Sequence, residues 1–505
     1  MNTVHYSFFE KVRTAMEQSP DHSLFADETR DYSTKEFYFA SVEAANALAA
    51  LGVKQGDLVF LRSTRSIDTF ILFAALAYLG AKSALSDPHQ GALESAEING
   101  LKEQTAYALT NEAAGDDISA AGNWELWNLR TMRKSAFPIS LGKQAVEPSF
   151  DSKTDIHAPF LIIFTSGSSN KAKAVALSQF GFNNHIENHL AIASGTPEDC
   201  LLMLLPIHHV FGVTLLAMGL WAHYRVYFAP SMDLAVALNA IQKEKVTAVD
   251  CVPSYIAAIG KAKLANGIDL PTLRLSMLGG TNLLEEDVRF IEQSLGVRVL
   301  PVYGMSECIA IAGASFDDSE ETRCHSVGRP LPLCDVRLID KSGREVAQGE
   351  EGEIIVKSPT MFLGYYLNAE ATKEAVDENG FLHTGDLGRF DAENRLHIVG
   401  RKKEMIIRNG INLSPVAIEE KLLKTACFDE VAVLGVKDKE AGEVPILIAT
   451  LAQQAEALGF AQVETLVWKA LLKIERPKAI YIVASLPHLS SGKVDKMTLF
   501  RLFGR

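Results

Sequence analysis

The sequence predicts an α/β protein with a large N-terminal domain of parallel βαβ-type sheets plus a small β-rich region, and a small α+β C-terminal domain. Short β-rich runs alternate with apolar helical stretches, as where the strand candidate Asp57–Arg62 precedes the helix candidate Ser66–Leu79. Such alternation is typical of βαβ units, whose parallel sheets are covered by helices. After about residue 320, glycine and acidic residues cluster around short strands, which favours hairpins.

The same alternation recurs in the middle of the chain and changes near its end. A strand, a helix and a second strand are predicted in turn at Lys245–Val252, Ser254–Ala265 and Leu273–Leu278. Further on, Ser414 is suited to cap a helix and Pro415 to occupy its first position. The change in composition predicts a boundary near residue 400, with domains of residues 1–400 and 401–505.

Composition and charge limit the functions that the chain can have. Its 505 residues are 48% hydrophobic and 22% charged, which is ordinary for a globular protein. The formal net charge of -13 argues against a nucleic-acid-binding protein, because no basic excess exists to neutralise phosphates. The six cysteines form no CxxC pair and have no histidine at zinc spacing, so we expect reduced, structural thiols.

Two apolar segments and the N-terminus bear on membrane association. The N-terminal residues contain no apolar core long enough for a secretory signal. Thr69–Gly80 is too short to span a bilayer, and Leu201–Trp221 contains Pro206, His208 and His209, so both are predicted to be buried elements. We therefore expect a cytoplasmic protein without stable membrane insertion.

The segment FTSGSSNKAKAV, residues 164–175, has the composition of a phosphate-binding loop without being a Walker A loop. A Walker A loop ends in Gly-Lys followed by Ser or Thr, whereas residues 172–174 here are Ala-Lys-Ala. The apolar run Phe160–Phe164 predicts a strand that leads into the turn. Serine hydroxyls, the flexible Gly167 and the charge of Lys173 suit an anion, although surface loops of this composition are also common.

With this loop as the first of five ordered motifs, the chain resembles the acyl-adenylate-forming enzymes. That superfamily includes acyl-CoA synthetases, peptide-synthetase adenylation domains and beetle luciferases, and its loop, Y/F-TSGSTGxPKGV, aligns here without gaps. The other four motifs are VYGMSE (Val302–Glu307), HTGDLGRF (His383–Phe390), GRKKEMIIRNGINLSPVAIEE (Gly400–Glu420) and LPHLSSGKVDK (Leu486–Lys496). PIHHVFG and GEEGEIIVKSPTMFLGYY also match, so the resemblance covers essentially the whole chain and is closest to acyl-CoA synthetases.

The resemblance implies a reaction and a set of ligands. A carboxylic acid is joined to the α-phosphate of ATP with release of pyrophosphate, and the acyl group then passes to CoA or to a phosphopantetheine carrier protein. Glu307 would help to hold Mg²⁺, Tyr303 would flank the adenine, and Asp386 would accept hydrogen bonds from the ribose. The implied nucleotide-binding residues are Thr165, Ser166, Gly167, Ser168, Ser169, Lys173, Gly280, Tyr303, Gly304, Ser306, Asp386 and Arg401.

The same resemblance assigns roles near the C-terminus. Lys493 would neutralise charge that develops at the α-phosphate and carboxylate, with Arg401 near the ribose or phosphate. Lys403 falls at the hinge about which the family's C-terminal domain is thought to move, although by itself it is one charge in the run RKKE. Gly410 falls beside the pantetheine tunnel of acyl-CoA synthetases and is equally a β-turn glycine after Asn409.

The acid-binding site is implied to lie around His209 of PIHHVFG. His209 matches the histidine that orients or gates the acid in acyl- and aryl-activating members, whereas a lone histidine in an apolar run is more often a core residue. No aspartate follows that could pair a substrate ammonium, which disfavours an amino acid. A fatty or aryl acid is favoured by the apolar pocket expected from Val210, Phe211, Gly279, Gly280 and Thr281.

The departures from the family pattern are concentrated near the phosphate loop. Asn170 replaces a glycine, Ala172 a proline, Ala174 a second glycine, and Gln179 a histidine. Asparagine tolerates the left-handed conformation, so the turn is still possible. Three functions therefore stay open: an acid–CoA ligase, a ligase that loads a carrier protein, and a nucleotide- or acyl-binding relative without turnover.

Overall fold

The computed structural model describes residues 2–87, 101, 105–111, 124–128, 133–137, 154–165, 173–193, 195–280, 283–409, 411–488 and 493–504. The chain divides into two compact units. The first comprises Met1–Cys324, Gly328–Asp335 and Lys357–Gly380, and the second His325–Val327, Val336–Val356 and Phe381–Arg505. These units are defined by contacts in space. The domain boundary predicted from the sequence, between residues 400 and 401, stays a prediction.

The elements of the described residues are as follows. The strands are β1 Ser23–Ala26, β2 Asp31–Ser33, β3 Leu58–Arg62, β4 Lys82–Ser86, β5 Thr105–Asn111, β6 Trp124–Asn128, β7 Arg133–Phe137, β8 Pro159–Thr165, β9 Lys173–Ser178, β10 Cys200–Met203, β11 Arg225–Phe228, β12 Ala248–Val249, β13 Leu275–Gly279, β14 Arg298–Tyr303, β15 Ala312–Gly313, β16 Arg329–Pro330, β17 Asp335–Ile339, β18 Gly352–Lys357, β19 Gly364–Tyr365, β20 Leu382–Phe390, β21 Leu396–Arg401, β22 Ile406–Arg408, β23 Ile411–Leu413, β24 Phe428–Asp438, β25 Gly442–Leu451 and β26 Ile480–Ile482. The helices are α1 Phe8–Gln18, α2 Thr34–Ala50, α3 Ile67–Leu79, α4 Gln179–Ala193, α5 Val210–Ala222, α6 Leu234–Lys243, α7 Pro253–Asn266, α8 Glu285–Leu295, α9 Glu320–His325, α10 Ala369–Ala375, α11 Pro415–Leu423, α12 Phe460–Ala470 and α13 Lys496–Phe503, with a 3₁₀ turn at Gln453–Ala455.

The first unit is built on two sheets with parallel centres. One has the order β16-β15-β14-β13-β12-β10-β11-β1-β2 and the other β19-β9-β8-β4-β3-β5-β6-β7. In the first sheet the parallel pairs are β1/β11, β11/β10, β10/β12, β12/β13 and β13/β14. In the second sheet they are β5/β3, β3/β4 and β4/β8. Antiparallel pairs flank both centres, as at β14/β15 and β8/β9. The predicted α/β class with parallel sheets is confirmed.

Helix α3 illustrates why the apolar segments are core and not membrane spans. Ser66 caps it by accepting a hydrogen bond from the Thr69 amide, and Gly80 ends it with a left-handed φ of 66°. Only Tyr78 of its residues is not buried, as expected of a helix that is apolar all round. The second segment forms β10 and the buried part of α5. Among the described residues, no helix is both long and apolar enough to cross a bilayer.

The strand predicted at Lys245–Val252 is much shorter than expected. Only Ala248 and Val249 form β12, and Cys251 adds an isolated bridge to Leu278. The reason is a side chain in the ladder: the Asp250 carboxylate accepts the hydrogen bond of the Met277 amide at 2.7 Å. The neighbouring helix and strand predictions agree with α7 and β13 to within three residues.

The second unit contains two smaller sheets, which the short turn between β21 and β22 connects. One has the order β17-β18-β20-β21, and in the other β23-β22-β25-β24 is extended by β26, which pairs parallel with β25. Hairpins are present in the predicted region as β20/β21 and β22/β23, and a longer hairpin that was not predicted, β24/β25, follows α11. Helix α11 begins as predicted, with the Ser414 hydroxyl accepting from the Ala417 amide and Pro415 at its first position.

Candidate active site

Glu307 lies in a sharp turn at the end of a parallel strand of the first unit. Strand β14 ends at Tyr303, and the chain reverses to pair β15 with it, with the Ile311 amide donating to the Tyr303 carbonyl at 2.8 Å. A Cβ on Gly304 would lie 1.7 Å from the Ile309 carbonyl oxygen, so only glycine fits there. The turn leaves Glu307 only 6% exposed and Ser306 half-buried.

Tyr365 contacts both Glu307 and Lys173. The Tyr365 hydroxyl donates to Glu307 Oε1 at 2.7 Å, and Lys173 Nζ lies 4.4 Å from the centre of the Tyr365 ring. Burial, together with the Glu307 carboxylate, raises the pKa of the Tyr365 hydroxyl above its ordinary value. The matching segment that ends in GYY predicts no role for Tyr365, since no spacing rule relates Tyr365 to Glu307.

The ends of the phosphate loop are held by neighbouring strands. Thr165, the last residue of β8, pairs with Lys173, the first of β9, and its hydroxyl donates to the Lys173 carbonyl at 3.4 Å. Ala174 is buried in β9 opposite Phe164. The residues between these strands lie outside the described part of the chain, so the loop predictions for Ser166, Gly167, Ser168, Ser169, Asn170 and Ala172 have no structural description.

A second strand end lies beside that of β14. Gly279 pairs with Val302, so β13 and β14 end at the same edge of the sheet. A Cβ on Gly279 would lie 2.9 Å from the Val302 carbonyl oxygen, and Gly280 has a left-handed φ of 83°. In open α/β sheets, ligands bind at the carboxyl ends of the strands, which is where Gly280 and Tyr303 lie. Thr281 is outside the described residues.

His209 immediately precedes helix α5. Its side chain makes no capping bond, and its ring lies 4.6 Å from that of His208. The turn is tight, because a Cβ on Gly212 would lie 2.1 Å from the Pro206 carbonyl oxygen. Val210 and Phe211 are half-buried, whereas α5 from Gly212 to Trp221 is buried. The first turn of this helix therefore offers partly accessible apolar surface beside two imidazoles.

The second unit brings together Asp386, Arg401 and Lys493. Asp386 and Arg401 face each other across β20 and β21, and Arg401 Nε donates to Asp386 Oδ1 at 2.9 Å. Lys493 retains an exposed surface, yet surrounding protein atoms desolvate its ammonium and lower its pKa. The Arg401 guanidinium adds to this lowering, while Asp386 and Glu404 oppose it. Two cations beside one buried carboxylate form a site suited to an anion.

Lys403 is exposed in the turn between β21 and β22. The residues on either side of it form ion pairs: Lys402 Nζ lies 2.7 Å from Glu353 Oε2, and Glu404 Oε2 lies 3.4 Å from Lys496 Nζ. Strands β22 and β23 pair with Arg408 opposite Ile411, and Asn409 has a left-handed φ of 51°. Gly410 lies outside the described residues.

Gln179, the last departure from the family pattern, has a structural role. It is fully buried at the start of α4, where its side-chain oxygen accepts from the Phe8 amide at 2.7 Å and its nitrogen donates to the Ala77 carbonyl at 3.3 Å. These bonds join three helices. All six cysteines are free thiols and five are buried, as expected from their spacing.

The fold is that of adenylate-forming enzymes. The structure of ATP-bound MatB from Rhodopseudomonas palustris superposes with a TM-score of 0.84 at 23% identity, covering 99% of each chain. The o-succinylbenzoate CoA synthetase of Bacillus subtilis, in complex with its acyl-adenylate intermediate, gives 0.82 at 23% identity and 98% of each chain.

The chain belongs to the AMP-binding enzyme family. Residues 12–366 match that family, and residues 417–493 match its C-terminal domain. It is 28% identical over 96% of both chains to a 2-succinylbenzoate–CoA ligase of Bacillus cereus, and 30% identical to an indoleacetate–CoA ligase of Aromatoleum aromaticum over 70% of this chain and 69% of that one. The prediction of an AMP-forming acid–thiol ligase similar to acyl-CoA synthetases is confirmed, and ATP and CoA are the substrates of such ligases.

Proposed function

We propose that this protein activates an aryl carboxylic acid with ATP and transfers the acyl group to CoA. The observation that carries the proposal is the contact of Tyr365 with both Glu307 and Lys173. It joins a buried carboxylate and an ammonium beside the ends of the strands that flank the phosphate loop. Such a pair suits a polyphosphate bound to a metal ion. The carboxylate has the charge opposite to that of the metal ion, and the ammonium has the charge opposite to that of the phosphates.

In the first step the acid's carboxylate oxygen attacks the α-phosphorus of ATP, and the bond to the β-phosphate oxygen breaks to release pyrophosphate. Lys493 and Arg401 neutralise the negative charge that accumulates as two anions approach. Asp386 accepts hydrogen bonds from the ribose, a role for which an ionised carboxylate retains acceptor capacity beside one guanidinium. Thr165 and Lys173 hold the β- and γ-phosphates, and Tyr303 flanks the adenine.

The Mg²⁺ ion that this step requires could be bound by a single carboxylate of the protein. Among the described residues no group of three or more His, Cys, Asp or Glu side chains could hold an ion. Mg²⁺ with a nucleotide is usually bound through one or two carboxylates, phosphate oxygens and water, so Glu307 is sufficient as the protein ligand. The ion would supply charge neutralisation at the phosphates.

In the second step the thiol of CoA attacks the acyl carbonyl carbon and loses its proton to solvent, and AMP leaves with the electrons of the acyl–phosphate bond. Lys403 serves as the hinge for the accompanying domain movement, and Gly410 borders the path of the pantetheine arm. CoA is favoured over a carrier protein because the curated relatives are CoA ligases. A carrier protein would give the same adenylate and differ only in the thiol.

An aryl acid is favoured over a fatty acid by the same relatives, whose named substrates are aromatic acids. The partly accessible Val210 and Phe211 offer apolar contacts, and His209 beside them orients the acid's carboxylate. The ring that is accepted depends on side chains deeper in the pocket. The two named relatives define a starting panel of 2-succinylbenzoate and indoleacetate, to which 4-coumarate is added as a further aromatic acid.

Pyrophosphate release with Mg-ATP, measured across this panel and a series of fatty acids with and without CoA, tests the proposal. We expect release with an aromatic acid, acceleration by CoA, and formation of the acyl-CoA. A fatty acid preferred over every aromatic acid would overturn the substrate class. Acid-dependent release that ignores CoA would indicate a carrier protein. The substitution K493A should lower release by orders of magnitude, and a wild-type protein no faster than K493A would favour the relative without turnover.

A further inference from the structure

Tyr365 connects two parts of the chain that are far apart in sequence. Its hydroxyl contacts Glu307, 58 residues earlier, and its ring contacts Lys173 at the end of the phosphate loop. A hydroxyl that donates to one carboxylate oxygen fixes the rotation of that carboxylate. An aromatic face within about 6 Å of an ammonium attracts it through the quadrupole of the ring. Tyr365 therefore acts on both charged groups at once.

The backbone around Tyr365 ties the same two segments together. Strand β19 pairs with β9, with Tyr365 opposite Val175, and the Tyr366 amide donates to the Ala174 carbonyl at 2.7 Å. At the other side, the Phe362 amide donates to the Glu307 carbonyl at 2.7 Å. The main chain of residues 362–366 is thus hydrogen-bonded to β9 and to the turn that contains Glu307. These bonds add to the side-chain contacts of Tyr365.

Tyr365 is itself firmly held. It is 8% exposed, its amide donates to Thr372 Oγ1 at 2.9 Å, and its ring packs edge-on against Phe362 with centres 5.1 Å apart. Gly364 before it has a φ of 131°, and a Cβ there would lie 2.9 Å from Thr372 Cγ2, so the chain passes close to α10. A side chain held in this way can restrict the conformations of flexible side chains that contact it, such as those of lysine and glutamate.

From these contacts we infer that Tyr365 is a positioning residue for Mg-ATP, which orients Glu307 toward the metal ion and holds Lys173 beside it at the phosphates. The inference rests on the roles proposed for Glu307 and Lys173. Because the hydroxyl engages Oε1, the carboxylate presents its other oxygen in a fixed direction. Because the ring faces the ammonium, Lys173 Nζ is held 4.4 Å from the centre of the ring whose hydroxyl contacts Glu307.

The substitution Y365F tests the hydroxyl while keeping the ring. We expect kcat/KM for Mg-ATP to fall about tenfold and the Kd of Mg-ATP, measured by calorimetry without the acid, to rise, as for loss of a hydrogen bond to a charged group. The KM for the carboxylic acid, measured at saturating Mg-ATP, should change less than twofold. Y365L, which also removes the ring, should lower kcat/KM for Mg-ATP several-fold further. The matched control is Y366F on the neighbouring half-buried tyrosine, which should keep wild-type values.

A double-mutant cycle separates this role from simple packing. In an E307Q background Y365F should cost less than twofold, because the oriented charge is already gone. T372V, which loosens the support of the Tyr365 amide, should raise KM for Mg-ATP about threefold and serves if Y365F folds poorly. Wild-type kinetics in Y365F and T372V, or an equal loss with and without Glu307, would overturn the inference. Wild-type kinetics in E307Q and K173A would instead overturn the proposed roles on which it rests.

Discussion

Arg401 and Asp386 lie directly opposite each other on neighbouring antiparallel strands, with Arg401 Nε 2.9 Å from Asp386 Oδ1. The pair fixes a buried carboxylate in the middle of β20 and keeps beside it the guanidinium of Arg401, the last residue of β21. A carboxylate has two acceptor oxygens, so Asp386 can accept from a ribose hydroxyl as well as from Arg401. The pairing therefore makes the charge of Asp386, and not only its shape, the property to test.

The substitution D386N should lower kcat/KM for ATP by about 10- to 100-fold, since an amide offers one acceptor oxygen in place of two and leaves Arg401 without a counter-charge. Initial rates at varied ATP measure the effect. The matched control is D391N, which removes a carboxylate paired with Arg395 at 2.6 Å at the other end of the same hairpin. D391N should keep the wild-type KM for ATP, and equal losses in both variants would indicate a general effect on the hairpin.

The pH dependence of adenylation should report Lys493. Its pKa is lowered, chiefly by desolvation and then by Arg401, so the cation exists below a pKa that is less alkaline than that of an ordinary lysine. The rate of pyrophosphate release should be highest below this pKa and fall as pH rises through it. K493R should lack this alkaline limb, because arginine stays protonated. The control K478A removes an exposed lysine paired with Asp438 and should leave the profile unchanged.

The buried Asp250 should make stability depend on pH. Burial raises its pKa to about 7, and it lines a cavity of about 20 Å³ with Asp199 and Tyr224. Between pH 4 and 7 the folded state holds a proton that the unfolded chain releases, so this group's contribution to stability falls as pH rises. The loss is about 4 kcal/mol, since each pKa unit corresponds to about 1.4 kcal/mol.

The substitution D250N should therefore raise the urea midpoint relative to wild type more at pH 8 than at pH 5, because the amide cannot ionise and still accepts from Met277. Unfolding at both pH values measures the difference. D21N, at an exposed aspartate, provides the control and should shift neither midpoint. A constant difference between D250N and wild type across this range would contradict the titration of Asp250.

The substitution Q179L should destabilise the fold without affecting nucleotide binding. It leaves the Phe8 amide without its side-chain partner, at a cost of about 1–3 kcal/mol, whereas the Ala77 carbonyl keeps the hydrogen bond of the Gly80 amide. The melting temperature should fall while KM for ATP stays within twofold of wild type. Q242L at an exposed glutamine is the control for stability. A raised KM for ATP in a stable Q179L protein would instead give Gln179 a role in the nucleotide site.

The sequence by itself determined the class of fold, the family and the identity of most candidate site residues. Periodicity was sufficient for β3 and α3 because a buried strand and a buried helix carry their own apolar patterns, and Ser414 and Pro415 marked the start of α11 by local capping chemistry. Glu307, Asp386 and Lys493 could be predicted as site residues because short motifs keep their order along the chain. These are properties of neighbouring residues, which a sequence displays directly.

Only the tertiary structure decided which distant side chains meet. It shortened β12, because the Asp250 carboxylate takes the Met277 amide across the sheet, and it made Gln179 a bridge between helices. It also joined Tyr365 to Glu307 and Lys173, which lie 58 and 192 residues away along the chain. Such contacts depend on strand order and register, and neither composition nor spacing encodes the distance between two side chains brought together by folding.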